Sequence, residues 1–345
     1  GGKFLLNTIW NDEELDEHLP GYMKKYIADN EIEFYTINAT KIAAEVGLGG
    51  RTNMVMQAAF FNLSQVLPID KAVKLLKEAI VKDYGAKGDD IVNMNYAAVD
   101  QGIDALHKVE VKESWKDADT TKDFKIKGAP EFINNILIPM NRQEGNDLPV
   151  STFVNMVDGT FPSGTSRYEK RGIAVNVPHW KNENCIQCNQ CSLVCPHAVI
   201  RPFLADEEEK ANAPESFETI KARGKGLEDY EYRMQISPLD CTGCGNCAQV
   251  CPAKEKALVM SPFESEIDVQ AANWEYASEH IKSKQENIEP NNFKNTQFQT
   301  PYLEFSGACA GCGETPYVKL VTQLFGDRMS IANATGCSSI WGGSA

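Results

Sequence analysis

The chain has 345 residues, of which 42% are hydrophobic and 24% charged, and its formal net charge is −14 at pH 7. This length suits two or three globular domains. The negative charge argues against nucleic acid as a partner, because the phosphate backbone is also negative. No run approaches the roughly 18 apolar residues of a membrane span, so a membrane partner is not expected either.

The first part of the chain alternates between strand-like and helical segments. Apolar and β-branched residues predict strands over 4–10 and 32–37. Helices are predicted after Asn11 or Asp12, near 22–28 and over 40–47. This alternation predicts an α/β layer with a parallel sheet.

Helical segments then predominate, with predicted helices over 53–66, 70–84 and 89–106. From 111 to 149 the composition turns polar and irregular, with one short helix expected near Phe132. We place a domain boundary, a linker or a small independent piece there.

Two later segments without cysteine also carry predictions. The loop G-T-F-P-S-G at 159–164 could hold an anion, but Gly, Pro and Ser also mark ordinary turns, and we favour the turn. The segment 265–300 is polar and rich in Asn, Gln and Glu, which predicts a long wrapping connector.

Two cysteine runs dominate the second half, C-I-Q-C-N-Q-C-S-L-V-C-P at 185–196 and C-T-G-C-G-N-C-A-Q-V-C-P at 241–252. Each is C-x2-C-x2-C-x3-C-P, the bacterial two-cluster ferredoxin run, whose fourth cysteine ligates the other cluster. The spacing therefore predicts two crossed 4Fe–4S clusters. We assign one to Cys185, Cys188, Cys191 and Cys251, and the second to Cys241, Cys244, Cys247 and Cys195.

Zinc is the main alternative ligand, because C-x2-C also binds zinc. Zinc does not explain a third cysteine at the same spacing and a fourth before proline, in both runs. A disulfide framework belongs to small secreted domains and fits less well. All eleven cysteines lie at or after Cys185, so we expect redox chemistry in the second half and the reduced cytoplasm as compartment.

The region between the two runs is longer than a minimal ferredoxin needs. We interpret 198–236 as a surface insertion. Gly243 and Gly245 suit a backbone that bends closely around inorganic sulfur. His197 is expected to be a packing or surface residue and not a ligand.

A third cysteine set follows, with Cys309 and Cys312 in G-A-C-A-G-C-G-E-T-P-Y and Cys337 in A-T-G-C-S-S-I-W-G-G. Three thiolates are incomplete for a cluster or a structural zinc site. From the residues alone, a metal site and free buried cysteines both remain open. We expect a missing ligand to lie beyond Ala345, since the chain starts without Met, stops within a motif and looks like a segment of a larger protein.

The sequence around this third set resembles the start of the thiamine-diphosphate domain of pyruvate:ferredoxin (flavodoxin) oxidoreductases. The segments F-Y-T-I-N-A, G-L-G-G-R-T-N-M-V-M-Q-A-A-F-F, F-P-S-G-T-S-R-Y-E-K-R-G-I-A-V and C-P-A-K-E-K-A-L resemble the same family. The resemblance spans essentially the whole chain in the family's domain order. It implies an internal segment of the single-chain enzyme.

The resemblance also implies cofactors and site residues. A third 4Fe–4S cluster would be held by Cys309, Cys312 and Cys337 together with a cysteine outside the chain, and Glu314 would contact thiamine diphosphate beside Cys337. The N-terminal domain would engage coenzyme A, with Asn53 and Asn95 as candidate contacts, although helix-surface or capping amides explain both equally well. The Mg²⁺–diphosphate motif and the catalytic residues would lie outside the segment, which alone should not turn over.

The implied architecture is multidomain α/β plus α+β. Its parts are an α/β domain (1–124), a linker or small domain (125–165), a two-cluster ferredoxin-like domain (166–283) and the start of a thiamine-diphosphate-binding α/β domain (284–345). The implied function is oxidative decarboxylation of pyruvate to acetyl-CoA by a homodimer, with electrons passed through three clusters to ferredoxin or flavodoxin. The alternatives are an electron-transfer subunit without thiamine chemistry and a zinc-structured scaffold.

Overall fold

A computed structural model describes residues 2–120, 125–126 and 128–342. Contacts within the chain divide it into two units, Gly1–Phe124 and Lys125–Ala345. The predicted boundary between 124 and 125 adjoins residues 121–124, which lie outside the described residues. The same holds for Gly343, the last residue of the T-G-C-S-S-I-W-G-G motif.

The first unit combines a small sheet with a group of packed helices. In chain order its elements are β1 (Lys3–Asn7), α1 (Asp12–His18), α2 (Gly21–Asp29), β2 (Glu33–Ile37), α3 (Ala39–Glu45), α4 (Asn53–Ser64), α5 (Ile69–Tyr84), α6 (Asp89–Asp104) and β3 (His107–Lys108). Strands β1 and β2 pair in parallel, with Lys3 opposite Glu33. The predicted parallel sheet is therefore found for this pair, but β3 returns antiparallel to β2 and makes the sheet mixed.

Local chemistry explains where the first elements begin and end. The Asn11 side chain accepts hydrogen bonds from the backbone of Glu13 and Glu14, and the Glu14 carboxylate accepts one from the Asn11 backbone. This capping box starts α1 and separates it from β1. The strand predicted over 4–10 is therefore shorter than expected. Residues buried on α4, α5 and α6 pack as one apolar cluster, among them Ala58, Leu76 and Val99.

The second unit contains two small antiparallel sheets. Its elements are α7 (Ile138–Asn141), β4 (Asn176–Trp180), α8 (Gln190–Leu193), β5 (Ile200–Ala205), α9 (Glu207–Ala211), β6 (Ile220–Lys221), β7 (Glu231–Ile236), α10 (Asn246–Val250), β8 (Leu258–Pro262), α11 (Phe263–His280), α12 (Phe293–Thr296), α13 (Thr315–Phe325) and α14 (Cys337–Trp341). Strand β4 pairs with β8, and the other sheet has the order β5-β7-β6. A helical turn at Ile133–Leu137 leads into α7, where the short helix near Phe132 was predicted.

The surface insertion predicted over 198–236 is wrong at both of its ends. Strands β5 and β7 lie within that range and form the middle of the second unit's sheet. Their Ile200, Tyr232 and Met234 are buried in the same apolar cluster as four of the cysteines. The region is therefore part of the core around the cysteine runs and not an addition to it.

The connector predicted over 265–300 is wrong in its first half, because α11 continues to His280. Polar residues on its inner face hide this helix from a hydrophobic-pattern analysis. Gln270 and Asn273 are buried there and bond to Gln235 and Ser216. The loop at 159–164 forms turns, with Gly159 at φ +79°.

Candidate metal centres

The first candidate centre is a small cavity between β4, α8 and β7. Its lining includes one cysteine of the second run and three of the first, namely Cys185, Cys188, Cys191 and Cys251. Burial raises the pKa of the Cys185 thiol, which the neighbouring Cys188 and Cys251 raise further. Burial likewise raises the pKa of Cys191 well above its ordinary value. Without a metal these thiols hold their protons, so metal binding has to release them.

The second candidate centre is a cavity beside β8 and α10. Its cysteines are Cys195, Cys241, Cys244 and Cys247. Burial raises the pKa of Cys241 to about 12, although the Gly243 backbone N–H donates to its sulfur over 3.4 Å. Gly243 has φ +68°, and a Cβ there would meet the Asn176 carbonyl oxygen at 3.0 Å, so the bend requires glycine.

The two cavities together contain the two predicted ligand sets. The structure brings Cys251 to three cysteines of the first run and Cys195 to three of the second. In the described residues, no group of three or more His, Cys, Asp or Glu side chains could hold a single metal ion. Four thiols that line a cavity, without converging on a point, fit a cube of iron and sulfide, which occupies a volume of its own.

Hydrogen bonds fix the loop that carries the first three thiols. Gln187 and Asn189 are buried there with φ +58° and +59°. The Asn189 side chain donates to the Lys294 carbonyl (3.0 Å) and accepts from the Tyr232 hydroxyl (2.8 Å). Gln187 donates to the Lys221 carbonyl over 2.8 Å. These hydrogen bonds offset the strain of a left-handed backbone conformation, which non-glycine residues rarely adopt.

A tryptophan supplies a donor beside the first cavity. The indole nitrogen of Trp180 is buried and makes no hydrogen bond within the described residues. It lies next to Cys185, where its N–H partly offsets the burial that raises the pKa of that thiol. An indole N–H beside a thiol could donate to a bound cluster's sulfur, and hydrogen bonds to sulfur are one way a protein sets a cluster potential.

The loop that carries Cys309 and Cys312 lies beside the second cavity. A Cβ built on Gly311, between Cys309 and Cys312, would be 3.6 Å from both the Cβ of Cys244 and the Asn246 side chain. His197 lines the second cavity and shares a hydrogen bond of 3.0 Å with the Ser306 carbonyl. His197 is buried, which agrees with its expected packing role.

The structure does not complete this third set. Cys309 and Cys337 are exposed and Cys312 is half-buried. Within the described residues these three thiols form no group that could hold a metal ion. The N–H of Thr315, at the start of α13, is the main cause that lowers the pKa of Cys312. Glu314 is exposed directly before that helix.

The two asparagines proposed for coenzyme A differ in accessibility. Asn53 is exposed at the first turn of α4, where a ligand can reach it. Asn95 is only 4% exposed, and its amide donates to the Ile91 carbonyl in its own helix over 2.8 Å. Asn95 is thus neither a helix-surface nor a capping amide, and its burial leaves it inaccessible to a ligand.

Sequence reasoning missed a buried lysine near both cavities. Lys319 of α13 lies against the backbone of Ser192 and Cys195. Burial lowers the pKa of Lys319 to about 8, while the thiols of Cys195 and Cys191 act in the opposite direction. Lysine in the sequence usually marks a solvated position, so no local signal pointed to it.

Comparison with known families matches separate parts of the chain. Residues 1–105 match pyruvate ferredoxin/flavodoxin oxidoreductase, residues 184–254 match a 4Fe–4S dicluster domain, and residues 119–174 match a domain of unknown function. The chain thus contains an α/β unit and a dicluster domain. None of the helices in the described part of the chain is both long enough and apolar enough to span a membrane.

Curated relatives match over the entire chain. It is 58% identical to the pyruvate:ferredoxin oxidoreductase of Moorella thermoacetica and 58% identical to the pyruvate-flavodoxin oxidoreductase of Enterobacter agglomerans. It is 46% identical to the pyruvate dehydrogenase [NADP(+)] of Cryptosporidium parvum. All three matches cover 100% of the chain, which spans 29% of the length of the first two relatives and 19% of the third.

Proposed function

Because this chain belongs to the pyruvate ferredoxin/flavodoxin oxidoreductase family, we propose that the protein carrying it oxidises pyruvate with coenzyme A. The products are acetyl-CoA, CO2, one proton and two electrons, and the electrons go to ferredoxin or flavodoxin. The arrangement of two cavities with four thiols each carries this proposal. A two-electron oxidation that ends on one-electron carriers needs such centres between them.

We assign electron transfer to the residues of the second unit. Iron–sulfur clusters take up and release single electrons. Cys185, Cys188, Cys191 and Cys251 would hold one cluster, and Cys241, Cys244, Cys247 and Cys195 the other. The protein contributes burial of four of the eight thiols, the bent Gly243 backbone and the Trp180 indole beside Cys185. The contact of Gly311 with Cys244 supports the third set as the neighbour of the second centre.

The remaining cofactors are proposed from the family resemblance. Cys309, Cys312 and Cys337 would share a third cluster with a cysteine from elsewhere in the protein, and Glu314 would contact thiamine diphosphate, which supplies the electron sink for decarboxylation. The exposed positions of Cys309, Cys337 and Glu314 suit residues that would bind a cluster or cofactor together with other parts of the protein. Mg²⁺ would be bound outside this chain.

The domain assignment is proposed on the same basis. Residues 1–124 would engage coenzyme A, with Asn53 as the accessible candidate. Residues 125–165 would be a linker or small domain, 166–283 the dicluster domain, and 284–345 the start of the thiamine-diphosphate domain. We place the protein in the cytoplasm as a homodimer, and its free thiols fit a reducing compartment.

The main rival is an electron-transfer subunit without thiamine chemistry, because the two cavities alone do not require that cofactor. The test uses the protein at the length of its relatives, purified without oxygen. We expect three four-iron clusters, no stoichiometric zinc, and reduction of ferredoxin or flavodoxin that depends on pyruvate and coenzyme A. NADP⁺ is included as an acceptor, given the name of the Cryptosporidium relative. Colourless protein with zinc in place of iron would overturn the proposal.

A variant separates the two functions. Glu314→Gln should weaken thiamine diphosphate binding and leave iron content unchanged, since it removes one carboxylate outside the cysteine sites. Glu228→Gln, at another exposed position, is the matched control. Unchanged affinity for thiamine diphosphate in Glu314→Gln would favour the electron-transfer subunit.

A further inference from the structure

Lys319 is a charged side chain in the interior of the second unit. It is 1% exposed, and no ion pair joins it to a carboxylate within the described part of the chain. Its ammonium donates instead to the carbonyl oxygens of Ser192 and Cys195, the latter at 3.2 Å. An unpaired buried charge is expensive, so its presence needs a physical reason.

The two carbonyls place this charge against the chain segment that links the candidate centres. Ser192 follows Cys191, whose thiol lines the first cavity, and Cys195 lines the second. Both carbonyls lie at or just past the C-terminal end of α8. The ammonium therefore contacts the short backbone segment that joins a ligand of one proposed cluster to a ligand of the other.

The helix that carries Lys319 is inverted in polarity. Its buried residues are Thr315, Lys319, Thr322 and Gln323. Apolar residues of the same helix face outward, among them Tyr317, at 73% exposure, and Phe325. A helix that served only to pack would bury those apolar residues.

A polar network surrounds the lysine on this inner face. The Ser192 hydroxyl donates to the Gln297 amide oxygen over 3.1 Å, and Gln297 donates to Gln323 over 3.3 Å. Gln323 in turn donates to the Gln299 carbonyl over 2.9 Å. These contacts hold the α13 face in register with α8, so the position of the ammonium is fixed.

We propose that Lys319 is a fixed positive charge that raises the reduction potentials of both clusters of the dicluster domain. This rests on the proposed function, because it requires clusters at the two cavities. Reduction adds one electron to a cluster, and a buried cation stabilises that added negative charge more than water-exposed groups can. The Lys319 ammonium donates to backbone carbonyl oxygens, and its effect on the clusters would be exerted through its charge.

The competing explanation is structural, with Lys319 only satisfying the last carbonyls of α8. Three variants of the anaerobically purified, cluster-loaded protein separate the two. Lys319→Arg keeps the charge, Lys319→Gln keeps a donor without the charge, and Lys319→Met removes both. Lys282→Met makes the same charge change at an exposed position of the second unit and is the control.

The readouts are iron content and the midpoint potentials of the two clusters from redox titration monitored by electron paramagnetic resonance at pH 7. We expect both potentials to fall in Lys319→Gln and Lys319→Met by about tenfold in the reduction equilibrium constant, or ~59 mV for one electron. Lys319→Arg and Lys282→Met should stay at the wild-type values.

Each other outcome overturns the inference in a recognisable way. Wild-type potentials in both uncharged variants would leave Lys319 a structural role. If both uncharged variants lost iron while Lys319→Arg kept its full iron content, the charge would serve cluster assembly and not the reduction potential. Absence of clusters from the wild-type protein would instead refute the proposed function on which the inference rests.

Discussion

Gly311 lies against Cys244, and a Cβ on Gly311 would be 3.6 Å from the Cβ of that cysteine. The loop between Cys309 and Cys312 thus contacts the loop that carries the second candidate centre. At φ +73°, Gly311 adopts a conformation that L-residues rarely take. This contact joins the loop of Cys309 and Cys312 to the segment 184–254, which matches a 4Fe–4S dicluster domain.

Gly311→Ala should lower the free energy of unfolding by about 1–2 kcal/mol, because a left-handed conformation is strained for a residue with a Cβ. The distance of 3.6 Å is ordinary van der Waals contact, so strain and not a clash causes the effect. Urea unfolding of the 345-residue chain measures it. Gly313→Ala is the control in the same loop, since nothing lies within 4 Å of its Cβ and its φ is not positive. Equal stability of the two variants would contradict the prediction.

The crossed ligand sets predict which cysteine variants resemble one another. Cys195→Ser should abolish or alter the same cluster signal as Cys244→Ser, because both thiols line the second cavity. Cys251→Ser should match Cys188→Ser for the first cavity. Electron paramagnetic resonance of the reduced protein compares the four spectra. A Cys195→Ser spectrum that matches Cys188→Ser would show an uncrossed arrangement.

Gly102 marks a close approach between α6 and α4 in the first unit. A Cβ there would lie 2.6 Å from the Val55 carbonyl oxygen and 3.0 Å from its Cα. We expect Gly102→Ala to lower the free energy of unfolding by about 1–3 kcal/mol through overpacking, despite the better helix propensity of alanine. Gly85→Ala, with φ −55° and its nearest neighbour at 3.8 Å, should be neutral or slightly stabilising in the same urea titration. A neutral Gly102→Ala would mean that the two helices can separate without cost.

Asp16 joins α1 to the segment after β3. Its carboxylate accepts hydrogen bonds from Lys112 (2.6 Å) and the Trp115 indole (2.7 Å). The bond from Lys112, followed by that from Trp115, lowers the pKa of Asp16 below its ordinary value of 3.8. Because this side chain is 35% exposed, solvent screening keeps the gain small, and Asp16→Asn should cost about 1 kcal/mol near neutral pH.

The sign of the pH dependence follows from the lowered pKa. A carboxyl group with a depressed folded-state pKa stabilises the fold above its unfolded pKa and loses that contribution as pH falls through the folded value. The difference in unfolding free energy between wild type and Asp16→Asn should therefore be constant from pH 7 to about 5 and shrink below pH 4. If the difference in unfolding free energy persisted at pH 2, its cause would be the packing of Trp115 and not the charge of Asp16.

Much of this architecture could be predicted from local signals. The capping residue Asn11 and the spacing of apolar residues place α1, α4, α5 and α6 within a few residues of their observed bounds. The cysteine spacing predicted which four thiols line each cavity, because the fourth cysteine of each run, before proline, points to the other cluster site. In these cases the determinant is contained within a short stretch of chain.

The missed features depend on contacts between distant segments. Helix α11 buries Gln270 and Asn273, which no hydrophobic periodicity reveals, since their partners come from β7 and from Ser216. Lys319 reaches carbonyls more than 120 positions earlier in the chain. The two buried strands at the ends of 198–236 were predicted to be a surface insertion, because the section between them is charged.

The inverted helix α13 has a practical consequence for anyone who engineers this protein. Common stabilisation schemes exchange exposed aromatic residues for charged ones and buried threonines for aliphatic ones. On this helix the first exchange would act on the exposed face that carries Tyr317 and Phe325, and the second would dismantle the polar surroundings of Lys319. A variant selected for solubility alone would therefore lose the surroundings on which the proposed role of Lys319 depends.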